Sequence, residues 1–141
     1  MSKMIFVNLP VTDLARSTAF YRTVGATPNE RFCDATASCM VLSDTIFVML
    51  LTHEKFAQFT PKKIADARTE TEVLLCVSED SRSDVDATVN KALTAGGREP
   101  RPIQDYGFMY GRSFEDPDGH IWEVMWMDVE AAMAGGAGQD Q

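Results

Sequence analysis

Met4–Val11 ("MIFVNLPV") is a short, almost wholly apolar run broken only by Asn8, and it reads as a β-strand. A helical spacing then begins. Leu14, Ser17/Thr18, Tyr21 and Val24 recur at helical intervals behind Asp13, an N-cap residue, and Gly25 stands where a helix stops. Extended stretches follow near 28–34, 36–42 and 45–52. The last, "TIFVMLLT", is apolar throughout, as expected of a strand covered on both faces. Residues 53–68 read as a mostly helical linker broken at Pro61.

The same order then begins again. "EVLLCVS" (72–78) predicts a strand, "SDVDATVNKALTA" (83–95) a helix, and Gly96-Gly97 its stop. Extended stretches near 98–103, 107–115 and 120–127 complete the second set, Pro100 and Pro102 making the first of these irregular or an edge. "FVNLPVTD" superposes on "EVLLCVSE" at an offset of 66, and "IFVML" falls over the "WEVM" region at about 74. That steady drift is what loop insertions between two copies of one unit produce. The fold class read from this is α+β: two tandem βαβββ modules forming a curved, incompletely closed sheet around a cleft. The modules cover about 4–52 and 72–127, joined by a linker over 53–71, within a single domain at 1–128. Residues 129–141, small and polar, read as a flexible tail.

Composition narrows the function classes. With 141 residues, 45% hydrophobic and 24% charged, the chain is long enough for a real core. A net charge of −8 argues against nucleic acid and acidic membrane surfaces as partners. No start of the chain has the form of a secretory signal, and no apolar run approaches the roughly 20 residues that span a bilayer. Cys33, Cys39 and Cys76 are odd in number and lack C-x-x-C spacing, which suits a reducing cytoplasm.

Strand periodicity selects the residues that face the cleft. Around the turn "DPDG" (116–119), Ile121, Glu123 and Met125 point inward, while Trp122, Val124 and Trp126 pack under the helices. Met109, Gly111 and Ser113 share the inward face on the preceding strand, opposite Tyr110, Arg112 and Phe114. Met49 is the repeat mate of Glu123, flanked by Phe47 and Leu51. On the opening strands, Phe6 and Asn8 pair with Glu72 and Leu74. Glu123 and Glu72, two carboxylates in one apolar cleft, would repel, and desolvation would raise the pKa of at least one; they are the candidate acid/base pair. Asn8, Phe6, Phe47, Met49, Leu74, Met109, Ser113 and Met125 are the candidate ligand-binding set. His120 reads as a turn residue facing away from Glu123, and Arg112 as a salt-bridge residue.

"VNLPVTDLARSTAFYRTVG" near the start and "FEDPDGHIWEVMW" near the end resemble the vicinal oxygen chelate superfamily, over roughly 4–128. This group includes glyoxalase I, the fosfomycin- and bleomycin-resistance proteins and extradiol dioxygenases. The likeness is closest to bacterial proteins described as predicted lactoylglutathione lyase-like. The resemblance implies a homodimer, with the modules paired within one chain or across two, and a small-molecule ligand in the cleft. It also implies a metal centre at Phe6, Met49, Glu72 and Glu123, where the family usually has His and Glu. Phe6 has no donor atom, and a Met thioether is a poor ligand for Zn²⁺, Ni²⁺ or Mn²⁺. No cofactor is therefore expected; a hydrated divalent ion held weakly by Glu72 and Glu123 is the alternative. Two functions stay open. One is lyase- or isomerase-type chemistry on a small carbonyl or oxygen-rich compound, with Glu123 as base or as ligand to a weakly held ion, assisted by Glu72 and Asn8. The other is metal-free binding and sequestration, as in the bleomycin-resistance proteins.

Overall fold

A computed structural model describes residues 2–139, those from 135 onward by backbone alone. The chain runs β1 (Ile5–Val11), α1 (Leu14–Val24), β2 (Thr27–Pro28), β3 (Ala37–Val41), β4 (Ile46–Thr52) and a short α2 (His53–Phe56). The second module follows as β5 (Leu75–Ser78), α3 (Arg82–Thr94), β6 (Gln104–Asp105), β7 (Met109–Glu115) and β8 (Ile121–Met127), with α4 (Val129–Gln139) last. Each module forms a four-stranded sheet, in the orders β1-β4-β3-β2 and β5-β8-β7-β6. In each, the opening strand lies parallel to the closing one and the remaining pairs are antiparallel. Two βαβββ units with incompletely closed sheets are thus the architecture, as the repeat predicts.

The helices form where caps and apolar spacing agree. Asp13 accepts a hydrogen bond from the Arg16 N–H at 3.0 Å, and Ser81 accepts one from the Asp84 N–H at 3.1 Å. Gly25 ends α1 at φ 121°, a conformation that side-chain-bearing residues rarely adopt. The buried stripe of α1 is Ser17, Phe20 and Tyr21, and that of α3 is Val85, Val89 and Ala92. Burying side chains such as Val85 and Val89 stabilises the fold by about 1.5–3 kcal/mol each.

Four local expectations are corrected. Of the stretch 28–34 only Thr27–Pro28 pairs as a strand, and Glu30–Phe32 forms a 3₁₀ turn capped by Asn29. The linker is helical only over His53–Phe56 and, as a 3₁₀ turn, Ala57–Phe59; from Thr60 to Leu74 it is irregular. Strand β5 starts at Leu75, so Glu72 precedes it. Beyond β8 the chain forms α4, rather than a loose run from 129. Asp128 opens that helix by accepting the Ala131 N–H at 3.1 Å, and alanines favour it.

One core serves both modules. Leu9, Val11, Val48 and Leu50 from the first sheet join Phe114, Trp122 and Val124 from the second, with Phe20, Tyr21, Val85 and Val89 between them. Helix α1 carries the junction, since Phe20 lies 5.8 Å from Phe114 and Tyr21 lies 6.2 Å from Trp122, ring centre to ring centre. A buried polar knot reinforces it. The Tyr21 hydroxyl donates to Asp116 at 2.6 Å and accepts from the Trp122 indole at 2.9 Å. Asp118 accepts from Thr12 at 2.8 Å and from Ser17 at 3.3 Å. The "DPDG" turn is therefore a clamp between the modules as well as a hairpin turn. At its end, Gly119 has φ 94° and lies so close to the linker that a Cβ there would meet the Ala67 carbonyl at 2.7 Å.

Candidate functional site

Every strand residue in that shared core sits on a helix-bearing sheet face. The alternate positions form two open faces that neither α1 nor α3 covers, the short α2 meeting β1 and β4 beside the first. On the first sheet these are Phe6, Asn8, Phe47 and Met49; on the second, Met109, Gly111, Ser113, Ile121, Glu123 and Met125. The alternation read from the sequence around Glu123 agrees with the burial: Trp122 and Val124 are buried, and Glu123 and Met125 are partly exposed.

The first open face is apolar. Phe6 and Phe47, neighbours in the β1–β4 register, stack with ring centres 4.8 Å apart and planes 11° from parallel. Phe6 is nonetheless 49% exposed. The stack thus leaves aromatic surface in solvent in the single chain, on a strand that is apolar on both faces. Asn8 and Met49 are paired beside it.

The second open face is polar at its centre. Glu123 lies opposite Ser113 on β7 and opposite Cys76 on β5. Its carboxylate forms an ion pair with Arg101 at 2.9 Å. Arg101 belongs to the irregular stretch between the Arg98–Glu115 bridge and β6, on the far side of β7 from β8. To reach Glu123 it must cross β7 at the level of Ser113. The Ser113 hydroxyl is buried and has no hydrogen-bond partner, a state that costs about 1–3 kcal/mol. Partial burial, and secondarily the Glu123 charge, push the Cys76 thiol up, away from the reactive thiolate.

The two carboxylates expected to act together do not meet. The register pairs Cys76, not Glu72, with Glu123, and Glu72 is exposed ahead of the strand. The physical reason is the length of β5: it has four residues where β1 has seven. Leu74, also ahead of the strand, is 55% exposed. Glu72 and Asn8 instead line a cavity of about 390 Å³ at the seam between the modules. The linker roofs it through Phe56, Lys62, Lys63 and Ile64, and Ile121 and His120 close its floor. The His120 Nε2–H donates to the Pro10 carbonyl at 2.8 Å, tying the two modules.

Arg112 is buried on the helix side, bound by Glu99 and Asp86 at 2.9 Å each, as a structural salt-bridge residue would be. Arg101 was not singled out by sequence reasoning, nor were Asp116 and Asp118 as buried clamps. The one signal for Arg101 was the Pro100-Arg101-Pro102 run, which fixes a basic residue in a stiff, non-strand stretch.

The family's metal positions do not fit a metal here. Phe6 offers no donor, Met49 offers only a thioether, and Glu72 stands apart from Glu123, which is itself engaged by a guanidinium. Among the described residues no group of three or more His, Cys, Asp and Glu side chains gathers as a metal site. Also among the described residues, no helix is long and apolar enough to cross a membrane.

The family model of the Glyoxalase/Bleomycin resistance protein/Dioxygenase superfamily matches residues 3–124, and the chain belongs to that superfamily. Solved structures agree. A hypothetical protein from S. aureus is 25% identical, with a TM-score of 0.75 over 89% of this chain and 95% of its own. A glyoxalase/bleomycin resistance protein/dioxygenase family enzyme from Burkholderia phytofirmans is 20% identical, with a TM-score of 0.73 over 89% and 99%. A fosfomycin resistance protein from Mesorhizobium loti is 19% identical, with a TM-score of 0.64 over 94% and 96%. At these identities the last two speak for the fold alone. Among curated proteins there is no match.

Proposed function

We propose that this protein is a metal-independent small-molecule-binding member of the superfamily, acting as a homodimer. Its ligand lies between the open face of the first sheet of one copy and the open face of the second sheet of another. The observation that carries this reading is the uncovered Phe6–Phe47 stack. All helix-side faces are already used in one intrachain core, so these rings need a second surface, and a like chain offers one with Met109, Met125 and Glu123. An apolar face opposed to a mostly apolar face with a few convergent polar groups is the usual make-up of a ligand cleft.

Lyase- or isomerase-type chemistry on a small carbonyl or oxygen-rich compound is the second reading. What favours it is Glu123, a partly buried carboxylate on the cleft face, placed to take a proton from a bound ligand. Arg101 opposes it by neutralising the carboxylate that a base would use. Binding without turnover is therefore preferred.

Two measurements test the proposal. Sedimentation equilibrium is expected to show a dimer. Elemental analysis after loading with Mn²⁺, Ni²⁺ or Zn²⁺ is expected to show no stoichiometric metal. A stoichiometric ion that disappears in Glu123→Gln would overturn the metal-independent reading, and a strictly monomeric protein would overturn the shared cleft.

A further inference from the structure

Resting on the reading of the open faces as the ligand cleft, we propose that Arg101, Glu123 and Ser113 form a receptor for a small zwitterion. The ligand class is a free α-amino acid with an apolar side chain. Within the chain Arg101 and Glu123 neutralise each other at 2.9 Å. Arg101 is half exposed and rises from an irregular stretch between two prolines; besides Glu123 it donates to the Gln104 Oε1 at 3.2 Å, and it can leave both without disturbing the β7 ladder. Because it crosses β7 to reach Glu123, its displacement uncovers the Ser113 hydroxyl, the one buried side-chain polar atom without a partner among the described residues.

The charges select the ligand. A simple anion would gain Arg101 but would sit against Glu123 and be repelled. A simple cation would have to expel Arg101 only to form an equivalent pair. A molecule carrying both groups inserts between them, its carboxylate on Arg101 and its ammonium on Glu123, and every charge stays paired. Ser113 then gains the hydrogen bond it lacks. The neighbouring pair along the strands is Gly111 and Met125. A Cβ at Gly111 would already be in ordinary contact with the Met109 sulfur at 3.6 Å, the Val124 carbonyl at 3.8 Å and Met125 Cβ at 3.9 Å, so the two methionines close over this glycine and form an apolar surface beside the charges. That surface suits an aliphatic side chain, against which the flexible thioethers adapt readily.

A matched set of probes tests this in the full chain with metals chelated: L-leucine, 4-methylpentanoate (no ammonium) and 3-methylbutylamine (no carboxylate). Titration calorimetry is expected to show saturable binding of L-leucine and at least about tenfold weaker binding of each half-analogue, one missing charge pair accounting for a factor of that order. Arg101→Gln and Glu123→Gln are each expected to weaken L-leucine at least about tenfold, and Arg101→Lys to restore part of the loss. Both positions are solvent-accessible, and unchanged thermal midpoints would confirm that the variants fold. L-Leucine binding no tighter than its half-analogues, or binding unchanged in Arg101→Gln, overturns the proposal. Failure of the shared cleft reads differently. A Phe47→Glu monomer that still binds L-leucine keeps the zwitterion site and removes the cleft; an intact dimer that ignores L-leucine removes the zwitterion site alone.

Discussion

Strands β4 and β8 hold the same place in their sheets, each with a parallel strand on one side and an antiparallel one on the other, yet their open faces differ in kind. β4 presents Phe47 and Met49 beside a stacked Phe6, with no charge. β8 presents Glu123, held by Arg101 and flanked by Ser113 and Cys76. The helix-side faces differ too. The first module sends a polar knot from α1 into its neighbour, through Tyr21 and Ser17, whereas α3 offers Val85, Val89 and Ala92. The two copies of one scaffold have thus diverged in role. One supplies apolar surface and the junction, and the other supplies charge.

The sharpest way to break that division is at the junction. Tyr21→Phe leaves the Asp116 carboxylate and the Trp122 indole without their buried partner. The expected cost is about 3 kcal/mol, the sum of two small desolvation penalties, read as a lowered urea midpoint. The second effect is on assembly. Phe47→Glu places a charge on the apolar open face and is expected to weaken dimerisation at least about 100-fold in sedimentation, leaving monomer stability near wild type. An unchanged dimer would show that the first open face is not its contact.

On the second module, Arg112→Leu removes a buried guanidinium but leaves Asp86 and Glu99 partly in water, so about 1–2 kcal/mol is expected to be lost. A loss as large as that at Tyr21 would mean the two helix faces are not built differently.

The smallest effect is on pH dependence. Burial raises the Asp116 carboxyl above its ordinary 3.8, against the pull of His120 and Tyr21. The folded state therefore binds this proton more tightly than the unfolded chain. The contribution is fully present below 3.8 and is lost as pH rises through the folded value. Urea midpoints of wild type are thus expected to gain, relative to Asp116→Asn, as pH falls from neutral toward 4. Asp86, lowered by Tyr110 and Arg112, works in the other direction below 3.8, where its stabilisation is lost with falling pH.

Much of this was legible in the sequence because local rules suffice for it. The alternation around Glu123 sorted Trp122 and Val124 from Glu123 and Met125, and the caps Asp13 and Gly25 marked α1. Glu72 was placed by carrying the offset of 66 into β5, but the register there runs two residues later, with Cys76 at the level of Glu123 and Asn8 at that of Met49. A short strand with no turn signal at its start cannot fix its own register. Arg101 was invisible for another reason: its partner depends on the path of a proline-bounded stretch over a neighbouring strand, and no local period encodes that path. Asp116 and Asp118 were legible as turn residues, while their burial depends on α1 arriving from the other module.

The knot of Tyr21, Asp116 and Trp122 has a consequence for the chain as a divisible object. Tyr21 comes from one half and Asp116 and Trp122 from the other, so a cut in the irregular linker stretch near Lys62–Lys63 would yield two fragments, each with half a lock. Neither half keeps a satisfied interior by itself, and mixing them is expected to restore one folded particle. The linker's part in such a particle is then to raise the effective concentration of two complementary pieces that already recognise one another.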